Sequence, residues 1–219
     1  MNSPAPAPTS IKRYGLRLAV AAAGLAVLLI ISPGVGVDSA SYGWWDVWRA
    51  RLGWEISQDE LVGRPLVDLN GDGVISAEER DGFVAVARTM FNLRFPRALL
   101  ALQVGMTLAL CGAVFQVLFR NPLATAAVVA HCGPIGFVGL VVPHMVSLVV
   151  GSDCRILLPA SAIAGGAFLI ICDWVSQLCM RVAGWVSGQQ LGSATLPIGV
   201  VTAVVGVPIF LVLLRARRR

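Results

Sequence analysis

Charge is what this sequence has least of. Acidic and basic side chains make up 13% of its 219 residues, against 57% hydrophobic, and mean hydropathy reaches +0.78. A soluble domain carries about a quarter charged residues. The deficit excludes a water-facing globular fold and indicates an integral membrane protein. Acid is scarcer still outside one stretch: ten of the twelve Asp and Glu lie between residues 33 and 96. Cysteine never forms a CxxC pair. Cys111, Cys132, Cys154, Cys172 and Cys179 lie mostly within or beside apolar runs, and they read as small buried hydrophobes rather than metal ligands or disulfides. Histidine occurs only at 131 and 144. His131 has no partner in sequence to make a metal site, and His144 at a membrane boundary reads as a structural hydrogen-bonder.

The net charge of +5 is not a nucleic-acid footprint, because the basic residues gather beside apolar runs. Lys12 and Arg13 precede "LRLAVAAAGLAVLLIIS" (16–32) and Arg17 stands at its start, Arg120 follows the next apolar run, and Arg215, Arg217, Arg218 and Arg219 form the tail. That is the positive-inside pattern, with both termini cytoplasmic. Residues 1–15 form a disordered cytoplasmic segment. The run 16–32 fits either a secretory signal or a retained first span. Asp38 before Ser39-Ala40 is a poor cleavage context and favours the span. Further spans are expected at 98–119, 156–175 and 196–214. Gly105 and Gly112, with Ala109 between them, suit close helix packing. Residues 123–150 are long enough to cross but are interrupted by Gly133, Pro134, Gly136, Gly139 and Pro143. One crossing there would place Arg120 and Arg155 on opposite sides, so either the segment is re-entrant or spans are missing.

Residues 33–96 form a polar loop outside the membrane. Trp44, Trp45, Trp48 and Leu52 share a helical face there, suiting either an interfacial helix or a small core beneath the loop. Within the loop lies "DLNGDGVISAEE" (68–79), which satisfies every position of an EF-hand-like calcium pattern. Asp68, Asn70 and Asp72 stand at positions 1, 3 and 5, and Gly73 allows the turn. Val74 offers a carbonyl, Ile75 is the apolar residue, Ser76 binds directly or through water, and Glu79 closes the site. Phe83, Val86, Ala87, Met90 and Phe91 give the exiting helix an apolar face. Gly63 and Pro65 break any entering helix, and no second loop pairs with this one. The expected cofactor is therefore a structural calcium ion, and the fold class is all-α, polytopic and membrane-spanning, with an external calcium loop.

"RFPRALLALQVGMTLALCGAVFQVLFRNPLA" (94–124) resembles the second span of the FecCD family, permease subunits of ATP-driven importers for ferric siderophores, haem and cobalamin. "GPIGFVGLVVPH" (133–144) is similar to its most recognisable late motif. "LLPASAIAGGAFLIICDWV" and "LPIGVVTAVVGVPIFLVLLRARR" look like its last two spans. The permease motif carried by the resemblance comprises Arg120, Asn121, Pro122, Gly133, Pro134, Gly136, Gly139, Pro143 and His144. Members are longer, so a block of middle spans is missing here, with the join near Ala124–Val129. The segment that docks on the ATPase is lost with it.

The resemblance implies a permease with no catalytic residues of its own, in the bacterial inner membrane. Its partners would be an ATPase subunit, an extracytoplasmic substrate-binding protein, membrane lipid and a second copy of itself, and not nucleic acid. Arg94 and Arg97 look like the family's outer arginines, which pair with acids of the binding protein; ordinary arginines flanking a span are the alternative. A further outer arginine of the family is Gln177 here, with Arg181 one turn on as a substitute, and the family's glutamate before "LPIG" is Thr195. A rival reading keeps the permease-like spans only as the anchor of a calcium-binding membrane protein.

Overall fold

In the computed structural model the described residues are 8–35, 42–62, 74–119, 137–151, 153–187 and 196–216. Among them every regular element is helical. Helix α1 (Pro8–Ile31) ends in a 3-10 turn, Ser32–Gly34, and α2 (Trp44–Leu52) is followed by a second such turn, Gln58–Glu60. Then come α3 (Ala77–Phe119), α4 (Phe137–Val150), α5 (Cys154–Ser187) and α6 (Ile198–Ala216). The expected spans 98–119 and 156–175 fall inside α3 and α5, and 16–32 and 196–214 coincide with α1 and α6 to within two residues. Residues 8–15, expected to be disordered, are helical because α1 continues the first span toward the N-terminus. This is a multi-pass membrane protein.

Length separates the helices. The 24 residues of α1 extend about 36 Å at 1.5 Å each, enough for a hydrocarbon core of about 30 Å. The 14 residues of α4 reach only about 21 Å. Residues 123–136, which hold most of the expected interruption, lie outside the described residues. Helix α3 runs unbroken for 43 residues, joining the helix that leaves the acidic loop to the second span, with Pro96 inside it.

The chain divides into two compact units. The first contains residues 29–100 and 174–196. Its core gathers Tyr42, Val47, Ala50, Ile56, Leu61, Ile75, Phe83, Ala87 and Phe91. Tyr42 stacks on Phe83 with ring centroids 4.4 Å apart, and Trp48 meets Phe91 edge-on at 5.0 Å. Asp46 caps α2 by accepting the Gly43 N–H at 2.9 Å. Arg49 then fastens that helix to the following turn, pairing with Glu60 at 2.7 Å and donating to the Glu55 carbonyl at 2.7 Å.

The aromatic face of α2 is divided by this core. Val47 and Ala50 set the inner side, and the Trp48 indole reaches over its edge, whereas Trp44, Trp45 and Leu52 stay about half exposed. The predicted inner face of α3 also loses one member. Phe83, Ala87 and Phe91 repeat every four residues into the core, and Val86, one residue off that row, is exposed.

The second unit holds residues 1–28, 101–173 and 197–219. Small residues make its contacts. Ala101, Ala109, Ala113 and Ala162 are buried beside Val138, Val141, Leu169 and Ile170. Asp173 sits near the end of its apolar run yet is only 2% exposed, because it shares the helix face that carries buried Leu169 and Ile170.

Candidate functional site

Two groups of expected site residues besides the outer arginines reach the described structure. The first is the end of the expected calcium loop. Asp68, Asn70 and Asp72 lie outside the described residues, while Val74, Ser76 and Glu79 lie inside them. Ser76 N–H donates to Glu79 Oε2 at 2.9 Å, and Glu79 N–H donates to Ser76 Oγ at 3.2 Å. This reciprocal pair is a capping box, which satisfies two backbone donors at the start of α3 and places a carboxylate at the positive end of the helix. Ile75, immediately before Ser76, is buried in the first unit's core, so this end of the segment is pinned to the same cluster as α2. No group of three or more His, Cys, Asp or Glu positioned for a metal occurs among the described residues.

Arg94 and Arg97 flank Pro96 in α3, and both are half-buried. Arg94 Nη1 donates to the Pro33 carbonyl at 3.3 Å, tying α3 to the 3-10 turn that ends the first span. Its guanidinium therefore has a positioning task inside the protein. Arg181 lies in the last turns of α5. Gln177, at the position of the family's outer arginine, is 7% exposed.

The second group is the permease motif. Arg120, Asn121, Pro122, Gly133, Pro134 and Gly136 lie outside the described residues; Gly139, Pro143 and His144 lie on α4. Pro143 has no N–H, so the carbonyl of Gly139 loses its helical donor. Gly112 of α3 packs against that same carbonyl, and a Cβ there would overlap it. Gln116, one turn along α3, donates its amide to the carbonyl of Leu140 at 3.1 Å. A broken helical turn within a membrane needs such help from a neighbouring helix. Half-buried His144 offers its carbonyl to Ser147 Oγ at 2.7 Å.

Gly105 repeats the pattern one heptad earlier, against the backbone of Gly165 and Gly166 in α5. The spacing of Gly105, Ala109 and Gly112 foretold a packing face. It did not name the partners, although the Gly165-Gly166 pair within an apolar run is a signal of the same kind. Gln116 was missed; a lone amide in a long apolar run is the clue it gave.

The model of the FecCD transport family matches this chain twice, over residues 24–128 and 123–216. The chain belongs to the FecCD transport family. The two matches overlap at residues 123–128. It is 47% identical over 95 residues to a cobalamin import system permease protein of Halobacterium salinarum, a stretch covering 43% of this chain and 22% of that protein. A vitamin B12 import system permease protein of Vibrio cholerae is 46% identical over 97 residues, 44% of this chain and 26% of the relative. An uncharacterised ABC transporter permease protein of Bacillus subtilis is 40% identical over 104 residues, 47% and 26% of the two chains. The matched stretches span about a quarter of each relative. No solved structure matches this chain.

Proposed function

We propose that this chain is the permease component of an ATP-driven importer in the bacterial inner membrane, carrying a cobalamin-type metal chelate or a related iron-siderophore or haem. The observation that supports this is the double family match over 24–128 and 123–216, together with similarity to permeases named for cobalamin and vitamin B12 import. In this reading ATP hydrolysis belongs to a partner subunit, and an extracytoplasmic binding protein docks near Arg94, Arg97 and Arg181. Two copies of the chain pair, and both termini face the cytoplasm. In this reading a block of the family's middle spans is missing, with the join near Ala124–Val129, and the ATPase-docking segment is missing with it. Co-purification of the tagged chain with an ATPase subunit of this importer class tests the proposal. Capture supports it, and failure under conditions where a full-length relative captures its ATPase overturns it.

A second reading, compatible with the first, is a structural calcium site in residues 68–79. It is favoured by the complete ligand pattern and by the Ser76–Glu79 cap, which closes the loop against the start of α3. Calcium titration of the intact chain tests it: saturable binding that Glu79→Ala abolishes is expected, and binding unchanged by that substitution refutes the ligand assignment.

A further inference from the structure

Helix α2 is short, lies outside any span, and carries more exposed aromatic surface than a water-facing element tolerates. Trp44 is 47% exposed, Trp45 46% and Trp54 53%, and Leu52 beside them is 54% exposed. These residues are not scattered. Trp44 and Trp45 meet edge-on at 5.3 Å, and Trp45 meets Trp54 at 5.8 Å. Trp54 reaches its place through the left-handed turn at Gly53, whose φ is 73° and which lets the Trp54 N–H close on the Arg49 carbonyl at 3.0 Å. The opposite side of the helix, Val47 and Ala50, is sealed in the core.

The level of this patch relative to the bilayer is set by two contacts. Trp48 Nε1 donates to the carbonyl of Ile30 at 2.7 Å, and Gly34 abuts the backbone and Cβ of Trp44 so closely that no side chain fits there. Ile30 and Gly34 are the last turns of an apolar segment, Tyr14–Gly34, of 21 residues. That segment extends about 31 Å, which equals the hydrocarbon thickness, so its end marks the membrane boundary. Almost none of the segment is buried within the protein, and Ile30 itself is 48% exposed. The aromatic patch is thus continuous with a lipid-facing surface and stands at its edge. Indole rings favour that level, where one part of the ring is apolar and the N–H finds water or headgroups.

We infer that Trp44, Trp45, Leu52 and Trp54 form an interfacial anchor whose occupant is the headgroup and upper acyl region of the bilayer crossed by α1. The patch fixes the depth of the first unit and, through Trp48 and Ile30, the end of the first span.

The test is tryptophan quenching of the full chain in phosphatidylcholine nanodiscs containing lipids brominated either near the headgroup or near the acyl-chain end. The protein has six tryptophans, so removing Trp45 and Trp54 as W45S/W54S takes away two of the six. The expected result is that near-headgroup bromine quenches more strongly than deep bromine, and that W45S/W54S removes about a third of the near-headgroup quenching. Those two tryptophans quenched by aqueous iodide and not by brominated lipid would overturn the proposal, as the surface would then face water or a soluble partner. Quenching by neither would overturn it in favour of a second protein copy. Since W45S/W54S could disturb folding, the unsubstituted chain is measured first, and equal quenching at both depths already refutes an interfacial level.

Discussion

Gly112 and the carbonyl of Gly139 are in direct backbone contact between α3 and α4, with no room for a side chain between them. The substitution Gly112→Val forces these helices apart. Overpacking of this kind costs about 1–3 kcal/mol. The thermal midpoint in detergent is expected to fall and aggregation to rise on size-exclusion chromatography. Gly24→Ala is the control, because nothing lies within 4 Å of a Cβ there. Equal behaviour of the two variants would show that the contact is not tight.

The first unit's core depends on Phe83, which is 3% exposed and stacked on Tyr42. Phe83→Ala is expected to destabilise by about 3–5 kcal/mol. The Arg49–Glu60 pair is a different case, because the glutamate side chain is 49% exposed. Glu60→Gln should cost no more than about 0.5 kcal/mol. Thermal unfolding of both variants, followed by near-ultraviolet circular dichroism, checks the ordering.

Ser76 and Glu79 serve two readings that separate on substitution. Loss of the cap in Ser76→Ala should cost about 1 kcal/mol in stability whether or not calcium is present. On the proposed calcium reading, Glu79→Gln should in addition abolish saturable calcium binding in isothermal titration, while Ser76→Ala leaves binding detectable. Retention of full calcium affinity by Glu79→Gln would remove the site.

Arg94 and Arg97 should also part company. Arg94 holds the Pro33 carbonyl, so Arg94→Ala is expected to lower stability by about 1–2 kcal/mol. Under the proposed docking role, Arg97→Glu should weaken capture of the substrate-binding protein by at least about tenfold. Surface plasmon resonance against the binding protein measures it. Undiminished capture by Arg97→Glu would exclude it from the docking surface.

Much of the fold was legible because membrane helices announce themselves by length and apolarity. The runs 98–119 and 156–175 lie inside helices, 16–32 ends one residue into the 3-10 turn, and 196–214 begins two residues before α6. The continuity of α3 was foreseeable too, since the row Phe83, Ala87, Phe91 leads into the second span without a helix-breaking pair. The side taken by Trp48 was not legible, because its position on the α2 wheel borders both the inner and the outer face. Only the Ile30 carbonyl and the rings of Phe91 and Phe95 decide it. The burial of Asp173 was hidden for a similar reason. Nearness to a span end says how deep a residue lies, not which way it turns. Of the site, Gly105 and Gly112 were marked by spacing, but Gly165 and Gly139 as their respective neighbours required the fold.

Gly105 and Gly112 lie in the stretch 24–128, and their neighbours Gly165 and Gly139 lie in the stretch 123–216. The two family-matching stretches are therefore mated backbone to backbone. A surface made of peptide groups has nearly the same shape whatever side chains flank it, so it asks little co-adaptation of its partner. Such a seam behaves as a generic joint in the evolutionary sense. Under the proposed loss of middle spans, helices newly brought together there can close on each other without first acquiring matched side chains.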